Sequence, residues 1–300
     1  VRSGNSGDPL IAPSSPSFKS DFITIRKRDA GEDTQAHIRS IGNQYHRTNS
    51  SIGASNAESS FGLKWQAEGF KINTNNAAYN GNGTNNYIDL FWRQAPSYFD
   101  IIGYKGTGSN RTVSHSLGVA PDMIWFKQED GNGEWEVYHS GVGATKALRL
   151  NSSGDPSTNS GYFNNTAPTA SVFTVGTLSD VNGNGNKFTA LLFGTLAGVT
   201  KVGSYTGNGN DSQTIDCGFT NSSKFVLIKN TAPGGDWVYI DTTRGLVAGD
   251  DARILFNDYD VETSGNDVID PANSGFATAS GASNLFNNNG DLYVFYAIAA

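Results

Sequence analysis

Four histidines, His37, His46, His115 and His139, and a scatter of carboxylates are the groups in this 300-residue chain that could move protons. No Gly-x-Ser-x-Gly, Ser-x-x-Lys, His-Glu-x-x-His or Walker loop stands beside them to supply a nucleophile, a metal or a phosphate cradle. His115 and His139 have no histidine counterpart one sequence repeat later, where Asp216 and Asp241 lie, and both are read as surface or strand-end polar residues. Glycoside hydrolysis needs an acid and a base flanking one bond. The carboxylates available for it are Glu129, Asp130, Glu134 and Glu136, then Asp236, Asp241, Asp250, Asp251, Asp258, Asp260 and Glu262. Most sit beside Gly or Asn, where an Asp side chain caps its own turn. The run Asn182-Gly183-Asn184-Gly185 superficially resembles a calcium loop but lacks the closing Glu, and is read as a tight turn. One cysteine, Cys217, forbids an internal disulfide and leaves no Cys/His zinc set, so it is read as a buried small apolar residue. No catalytic residue, cofactor or metal ligand is assigned, and the chain is read as non-enzymatic.

Aromatic rings are the remaining resource, because exposed ones stack on sugars. Trp135 and Trp237 recur 102 residues apart and Trp92 is matched by Phe193, which marks these as core. The non-recurring Trp65, Tyr45 and Tyr162 are the candidate glycan or host contacts.

These recurrences belong to a period of about one hundred residues that runs three times. Tyr104 and Tyr205 are 101 apart, and Phe70, Phe173 and Phe276 are each 103 apart. The apolar run from Tyr87 to Trp92 matches those from Phe188 to Phe193 and from Tyr293 to Ile298. The run from Phe18 to Arg26 aligns with the region from Phe219 to Lys229, which extends the period to the start of the chain, with Gly4-Asn5-Ser6-Gly7 near Gly207-Asn208-Gly209. So long a period suits a domain with its own core better than a solenoid coil or a propeller blade. The expected domains are 1–98, 99–199 and 200–300, arranged in tandem.

Within one repeat, short β-prone runs alternate with Gly-rich turns. The segments Asp122-Met123-Ile124-Trp125-Phe126-Lys127 and Lys224-Phe225-Val226-Leu227-Ile228-Lys229 are continuously apolar between charged ends, as in a strand covered on both faces. Each is followed by a Gly/Asp turn and a Trp-bearing strand, a hairpin pattern. The expected fold is all-β, with three antiparallel β-sandwich or jelly-roll-like modules. The only helix-like stretches lie near residues 33–38 and 56–59. The first repeat diverges: it has no Trp in the hairpin and holds His37 and His46, as expected of a capping or docking copy.

Composition agrees with this reading. Gly is 36 of 300, about 12% against a usual ~7%, which supplies the many turns of an all-β chain. The net charge of −7 is the wrong sign for a nucleic-acid partner. The one basic cluster, Arg26-Lys27-Arg28, is read as a strand end because Lys127 and Lys229 occupy matching places. No apolar run is long enough for membrane insertion. Absence of disulfides permits assembly in a reducing cytoplasm. The chain opens on Val1 without an initiator Met and is compatible with a piece of a longer polypeptide.

The pattern Tyr104-x-Gly106-x-Gly108, His115-Ser116-Leu117-Gly118-Val119-Ala120-Pro121-Asp122-Met123-Ile124, Lys127, Trp135-x-Val137-Tyr138 and Ala167-Pro168-Thr169 resembles a module of marine phage, cyanophage-type tail-fibre and virion structural proteins. The third repeat carries it on with Val202-Gly203-Ser204-Tyr205, Val226-Leu227-Ile228-Lys229, Asp236-Trp237 and Asp241-Thr242-Thr243-Arg244. The resemblance covers residues 99–300 well and the first repeat loosely. It implies a virion location and a non-catalytic, tail-fibre-type appendage for host-surface attachment. The implied partners are other virion proteins, a host cell-surface glycan or protein, and further copies of the chain, with a homotrimer expected. The closing strands and the junctions 93–100 and 196–201 would supply the interface. Alternatives are a carbohydrate-binding module or depolymerase acting on surface glycans, and a capsid decoration or self-assembling filament protein.

Overall fold

The computed structural model describes residues 2–3, 10–11, 19–56, 63–66, 70–72, 77–81, 85–210, 212–279 and 285–300. Strands form nearly all the regular structure, and the sheets are antiparallel. In the second repeat one sheet runs in the order Phe99–Lys105, Lys187–Phe193, Met123–Gln128, Glu136–His139, Lys146–Arg149, Ser157–Thr158. The first and last long strands of the repeat are therefore neighbours. The third repeat has the same order in Thr200–Thr206, Leu292–Ala299, Ser223–Asn230, Trp237–Asp241 and Arg253–Leu255. The first follows it with Arg2–Ser3, Asn86–Trp92, Phe22–Lys27, Gln35–Ile38, Gln44–Arg47 and Ser55–Asn56. A second, smaller sheet accompanies each: Arg111–Ser114 with Val172–Val175, Gln213–Asp216 with Gly275–Thr278 and Ile269–Ala272, and Leu10–Ile11 with Phe70–Ile72 and Leu63–Trp65.

The continuous apolar runs now have a physical account. Side chains alternate across a strand. Ile124 and Phe126 face the small sheet of their own repeat, where they meet Val113, Phe173 and Val175. Met123 and Trp125 face the other way, into a core shared by all three repeats. That shared core brings the repeats into direct ring contact. Phe22 meets Trp125 edge-on at 6.4 Å, Trp92 meets Phe225 at 6.4 Å, and Phe193 meets Tyr296 at 5.3 Å. First touches second, first touches third, and second touches third.

The expectation of separately cored domains in tandem therefore needs revision. Each repeat has a small core of its own, and the three close around a common one. The reason is thickness. A sheet of this size covered on one face only would leave a second apolar face in water, and a hundred-residue unit has no further layer to cover it.

Two tight reversals join the repeats, with Ala95 bridged to Phe99 and Leu196 to Thr200. Ser97 and Gly198, 101 apart, hold the left-handed conformation there, at φ of 62° and 72°. Residues 35–38 of the helix-like stretch are strand, pairing with both Phe22–Lys27 and Gln44–Arg47. The pull of the neighbouring ladders outweighs local propensity. Of the second helix-like stretch, residues 57–59 lie outside the described residues, as do Phe18, Gly4-Asn5-Ser6-Gly7 and Asn82-Gly83. Among the described residues three single α-helical turns occur instead, Ala77–Asn80, Ser160–Phe163 and Ser179–Asn182, with a 3-10 turn at Arg39–Ile41. The first and last of the α-helical turns are equivalent, each ending on the first Asn of an Asn-Gly run, at Asn80-Gly81 and Asn182-Gly183. No described helix is long and apolar enough to cross a membrane.

Candidate functional site

The polar groups that the fold concentrates are at the joints between repeats. Lys127 is the penultimate residue of the central strand of the second repeat, Met123–Gln128, and has no exposure. Its Nζ donates to the carbonyl of Gly133, six residues on at 2.5 Å, and to those of Ser51 at 3.0 Å and Ser50 at 3.4 Å in the preceding repeat. Lys229, equally buried, donates to Gly235, again six residues on, and to Ser152 of the second repeat at 3.3 Å. Arg26 stands at the same point of the first repeat, 1% exposed. It donates to Glu32, six residues on, and to Asp258 and Asp260 of the third repeat. The contacts are thus cyclic: each repeat's cation holds its own hairpin turn against a loop of the preceding one, and the first takes the third.

The hairpin tryptophans add a second bond at two joints. Trp135 Nε1 donates to the Arg47 carbonyl at 2.9 Å, and Trp237 Nε1 to that of Arg149 at 2.8 Å. Each ring also lies beside its cation, with Lys127 Nζ 5.7 Å from the Trp135 ring and Lys229 Nζ 5.9 Å from that of Trp237. Backbone pairing runs alongside, from Gly133 N to Ser51 O and from Gly234 N to Ser153 O. At the third joint the first repeat has Thr34 where the others have Trp. Ion pairs replace the indole there. Arg28 binds both oxygens of Glu262 at 2.6 and 2.8 Å, Arg244 joins Glu262 to Asp241, and Thr48 Oγ1 donates to Phe256 O at 2.6 Å.

Burial sets the electrostatics. It pulls Lys127 and Lys229 down to about 8 and lowers Arg26. Glu136, inaccessible beside Arg149, is pushed up to about 7 by the same cause. His37 and His46 are driven down to about 3 and His139 to about 4, so all three are neutral at ordinary pH.

Several residues lie elsewhere than the sequence suggests. The basic cluster does end a strand, Phe22–Lys27, but Arg26 within it is a buried clasp. His139 does end its strand, Glu136–His139, but is inaccessible to solvent, with Nε2 3.4 Å from Phe295 O of the third repeat. His46 sets its ring edge-on to Trp135 at 5.6 Å, and His37 sits between Tyr45 and Tyr79. His115 is partly exposed, its Nε2 3.1 Å from Thr169 O.

The carboxylates hold the fold. Glu129 accepts from Thr189, and Asp130 accepts the Lys187 amide on both oxygens at 3.0 Å. Asp251, pushed up to about 6 by burial, accepts the amides of Val268 and Ile269 at 2.8 Å. No group of three or more His, Cys, Asp or Glu among the described residues is arranged to hold a metal ion. The Asn-Gly run is a clamp. Asn182 donates to Ser109 O and Gly176 O and accepts the Thr107 amide, while Gly106 passes so close that a Cβ there would stand 2.1 Å from Gly183 O. Cys217 is buried, its thiol pushed up to about 12.

The aromatic candidates do not form a platform. Tyr45 and Tyr162 are 3% and 4% exposed, packed within their own repeats. Trp65 is half-buried, with the Arg39 guanidinium over its ring at 4.4 Å and its Nε1 bonded to Gly42 O. Non-recurrence marked packing peculiar to one repeat, not exposure. The joint cations were visible in the sequence only as charges at equal spacing, two of them followed by Gly six residues on.

Residues 2–300 match the family described as Domain of unknown function (DUF7483), and the chain belongs to it. The match runs through all three repeats. No curated protein and no solved structure matches the chain.

Proposed function

We propose that this DUF7483 chain is a non-catalytic structural and display unit of a virion, a tail-fibre-type appendage segment for attachment to the host surface. The observation that supports it most is the ring of buried cations, Arg26, Lys127 and Lys229, each bound to neutral carbonyls of two repeats. Charges in a dry joint hold one arrangement rigidly and have no access to a substrate. The strongly perturbed groups Glu136, His37, His46 and His139 are likewise buried within the sheets and joints. Rigidity with a loop-rich exterior suits display.

The ring also bears on assembly. Trimeric fibres bury apolar faces between three chains, whereas here the closing strands place Trp92, Phe193 and Tyr296 against one another inside a single chain. Further association, including the expected homotrimer, would use the outer loops instead. Incubating the protein with host surface polysaccharide and analysing products and retention tests the reading: retention without cleavage supports it, and release of oligosaccharides overturns it in favour of a depolymerase.

A further inference from the structure

The third repeat has a cleft beside its hairpin turn. It has a volume of about 200 Å³ and lies beside the turn at 232–236, between Val238, Arg253 and Leu255 on one side and Leu285, Asn288 and Asp291 on the other. Its lining differs from the equivalent points of the second repeat, where three of four side chains are longer. In the second repeat Gln128 lies over the turn glycines, so close that a Cβ on Gly131 would meet its Nε2 at 2.3 Å, and Asp180 also comes close to Gly133. Behind them Glu136 and Arg149 pair across the strands. The third repeat has Asn230 for Gln128, Leu285 for Asp180, Val238 for Glu136 and Leu255 for Arg149. One methylene and one ion pair are removed, and the space stays open.

The lining is mixed in a particular way. Asp291 is held through Oδ2 alone, which accepts from Asn230 at 2.7 Å and Asn288 at 3.1 Å. Asp236 is held through Oδ1 by Asn257 at 2.8 Å. Both carboxylates are thereby oriented with a second oxygen to offer. Arg253 adds a guanidinium to the lining, with its Nη1 shut off from solvent and without a hydrogen-bond partner. Val238, Leu255 and Leu285 form an apolar wall.

The geometry points to this cleft as a binding site for one neutral sugar ring. Hydroxyls that donate and accept together suit fixed carboxylates with a guanidinium beside them, and the C–H face of a pyranose suits the aliphatic wall. Two carboxylates against one guanidinium, on a chain of net charge −7, disfavour an anion. A guanidinium in the lining disfavours a metal ion. The volume is below the ~300–1,000 Å³ of drug-sized pockets and admits one ring rather than a chain of them.

This inference rests on the attachment reading and makes it specific to the third repeat. The test is a titration of the isotope-labelled protein with methyl glucoside, methyl mannoside, methyl galactoside and N-acetylglucosamine, followed by amide NMR. At least one should bind with a Kd on the order of 1 mM, moving the amides of Gly234, Gly235, Asp236 and Asn288 together. Asn230→Gln, which restores the residue the second repeat folds with, should weaken binding roughly tenfold or more with unfolding unchanged. Arg253→Met should weaken it as well. No shift with any of the four sugars, or shifts that survive Asn230→Gln, overturns the site. Adsorption of the same variants to host cells is scored separately. Wild-type adsorption by Asn230→Gln removes the cleft from attachment and leaves the attachment reading standing, whereas no adsorption by the native protein removes that reading while the NMR titration still decides the cleft.

Discussion

Arg26 Nη1 donates to the carbonyl of Asp258, 232 residues away, at 3.0 Å. That bond joins the first repeat to the third, and with its counterparts on Lys127 and Lys229 it makes the chain a closed ring rather than a string. Two of the three clasps are lysines and one is an arginine, and the arginine serves the joint without an indole. Its planar fork reaches three carbonyls, Glu32, Asp258 and Asp260, where Trp237 and Lys229 divide the work between them.

Arg26→Met should therefore cost about 3 kcal/mol or more, because the carbonyls are left in a dry joint without donors, and hydrogen bonds to charged groups contribute roughly 1.5–3 kcal/mol each. Arg26→Lys should lose about half of that, since the ammonium that serves the other joints can still reach part of the carbonyl set. Urea unfolding followed by tryptophan fluorescence measures both. A midpoint for Arg26→Met equal to that of the native chain would show that the closure adds nothing.

Trp135→Phe and Trp237→Phe each remove one cross-repeat hydrogen bond and part of a large buried ring. The bond contributes about 1 kcal/mol and the lost volume about as much again, so each variant should fall by about 2–3 kcal/mol. The two acceptors, Arg47 O and Arg149 O, are in different joints. The double variant should be additive to within ~0.5 kcal/mol, as for sites without shared partners. A larger excess in denaturant titrations would mean that the joints act through the common core as one unit.

Much of this was legible in the sequence, but not the closure. The repeat spacing, the hairpin of Met123–Gln128 with Glu136–His139 and the burial of Trp135 and Trp237 all follow from periodicity and turn chemistry. The apolar run at Asp122–Lys127 announced a strand covered on both faces. A run of that kind says that a cover exists and not what it is, and here half of it comes from residues a hundred or two hundred positions away. Lys127 and Lys229 were read only as charged ends of their strands, and charge is the usual mark of solvent, so nothing in the sequence pointed to their burial. Their carbonyl partners leave no trace in side-chain identity, since any residue carries a carbonyl. Tyr45 and Tyr162 misled in the opposite sense: lack of a counterpart says nothing about accessibility. The cleft follows from Asn230, Val238 and Leu255 only when they are set against Gln128, Glu136 and Arg149 in a known register.

The histidines fix the acid limb of stability. His37 and His46 lie at about 3 and His139 at about 4, all below the ~6.5 of a free imidazole. Between these values the unfolded chain binds more protons, so stability is present above pH ~6.5 and is lost as pH falls toward 4 and 3. Glu136, raised to about 7 from 4.5, acts oppositely: it favours the folded chain below its unfolded value, and that contribution fades as pH rises to 7. Lys127 and Lys229, lowered to about 8 from 10.5, make the fold more stable as pH rises from 8 to 10.5. Unfolding midpoints should fall as pH drops below ~6.5 and climb between pH 8 and about 9, above which Cys217, raised to about 12 from 9.0, opposes the lysines. His46→Phe, which keeps a ring against Trp135, should flatten the acid limb; an unchanged limb would place the acid transition elsewhere.

A ring built this way should not survive the loss of one member. Removing residues 1–97 strips Trp125 of Phe22, Phe225 of Trp92, Trp135 Nε1 of its acceptor, and Lys127 of Ser50 and Ser51. The segment 98–300 should then show weakened near-ultraviolet dichroism and bind a hydrophobic dye, and 200–300 alone should unfold without a sharp transition. The cut falls in the reversal where Ala95 bridges Phe99, outside every strand of the large sheets. Mixing 1–97 with 98–300 should restore the native spectrum, because the joint contacts do not depend on the covalent link. Independent, sharp unfolding of 200–300 would instead show that its own core around Ile228, Phe276 and Phe295 suffices. That outcome would reduce the shared core to a contact between finished domains.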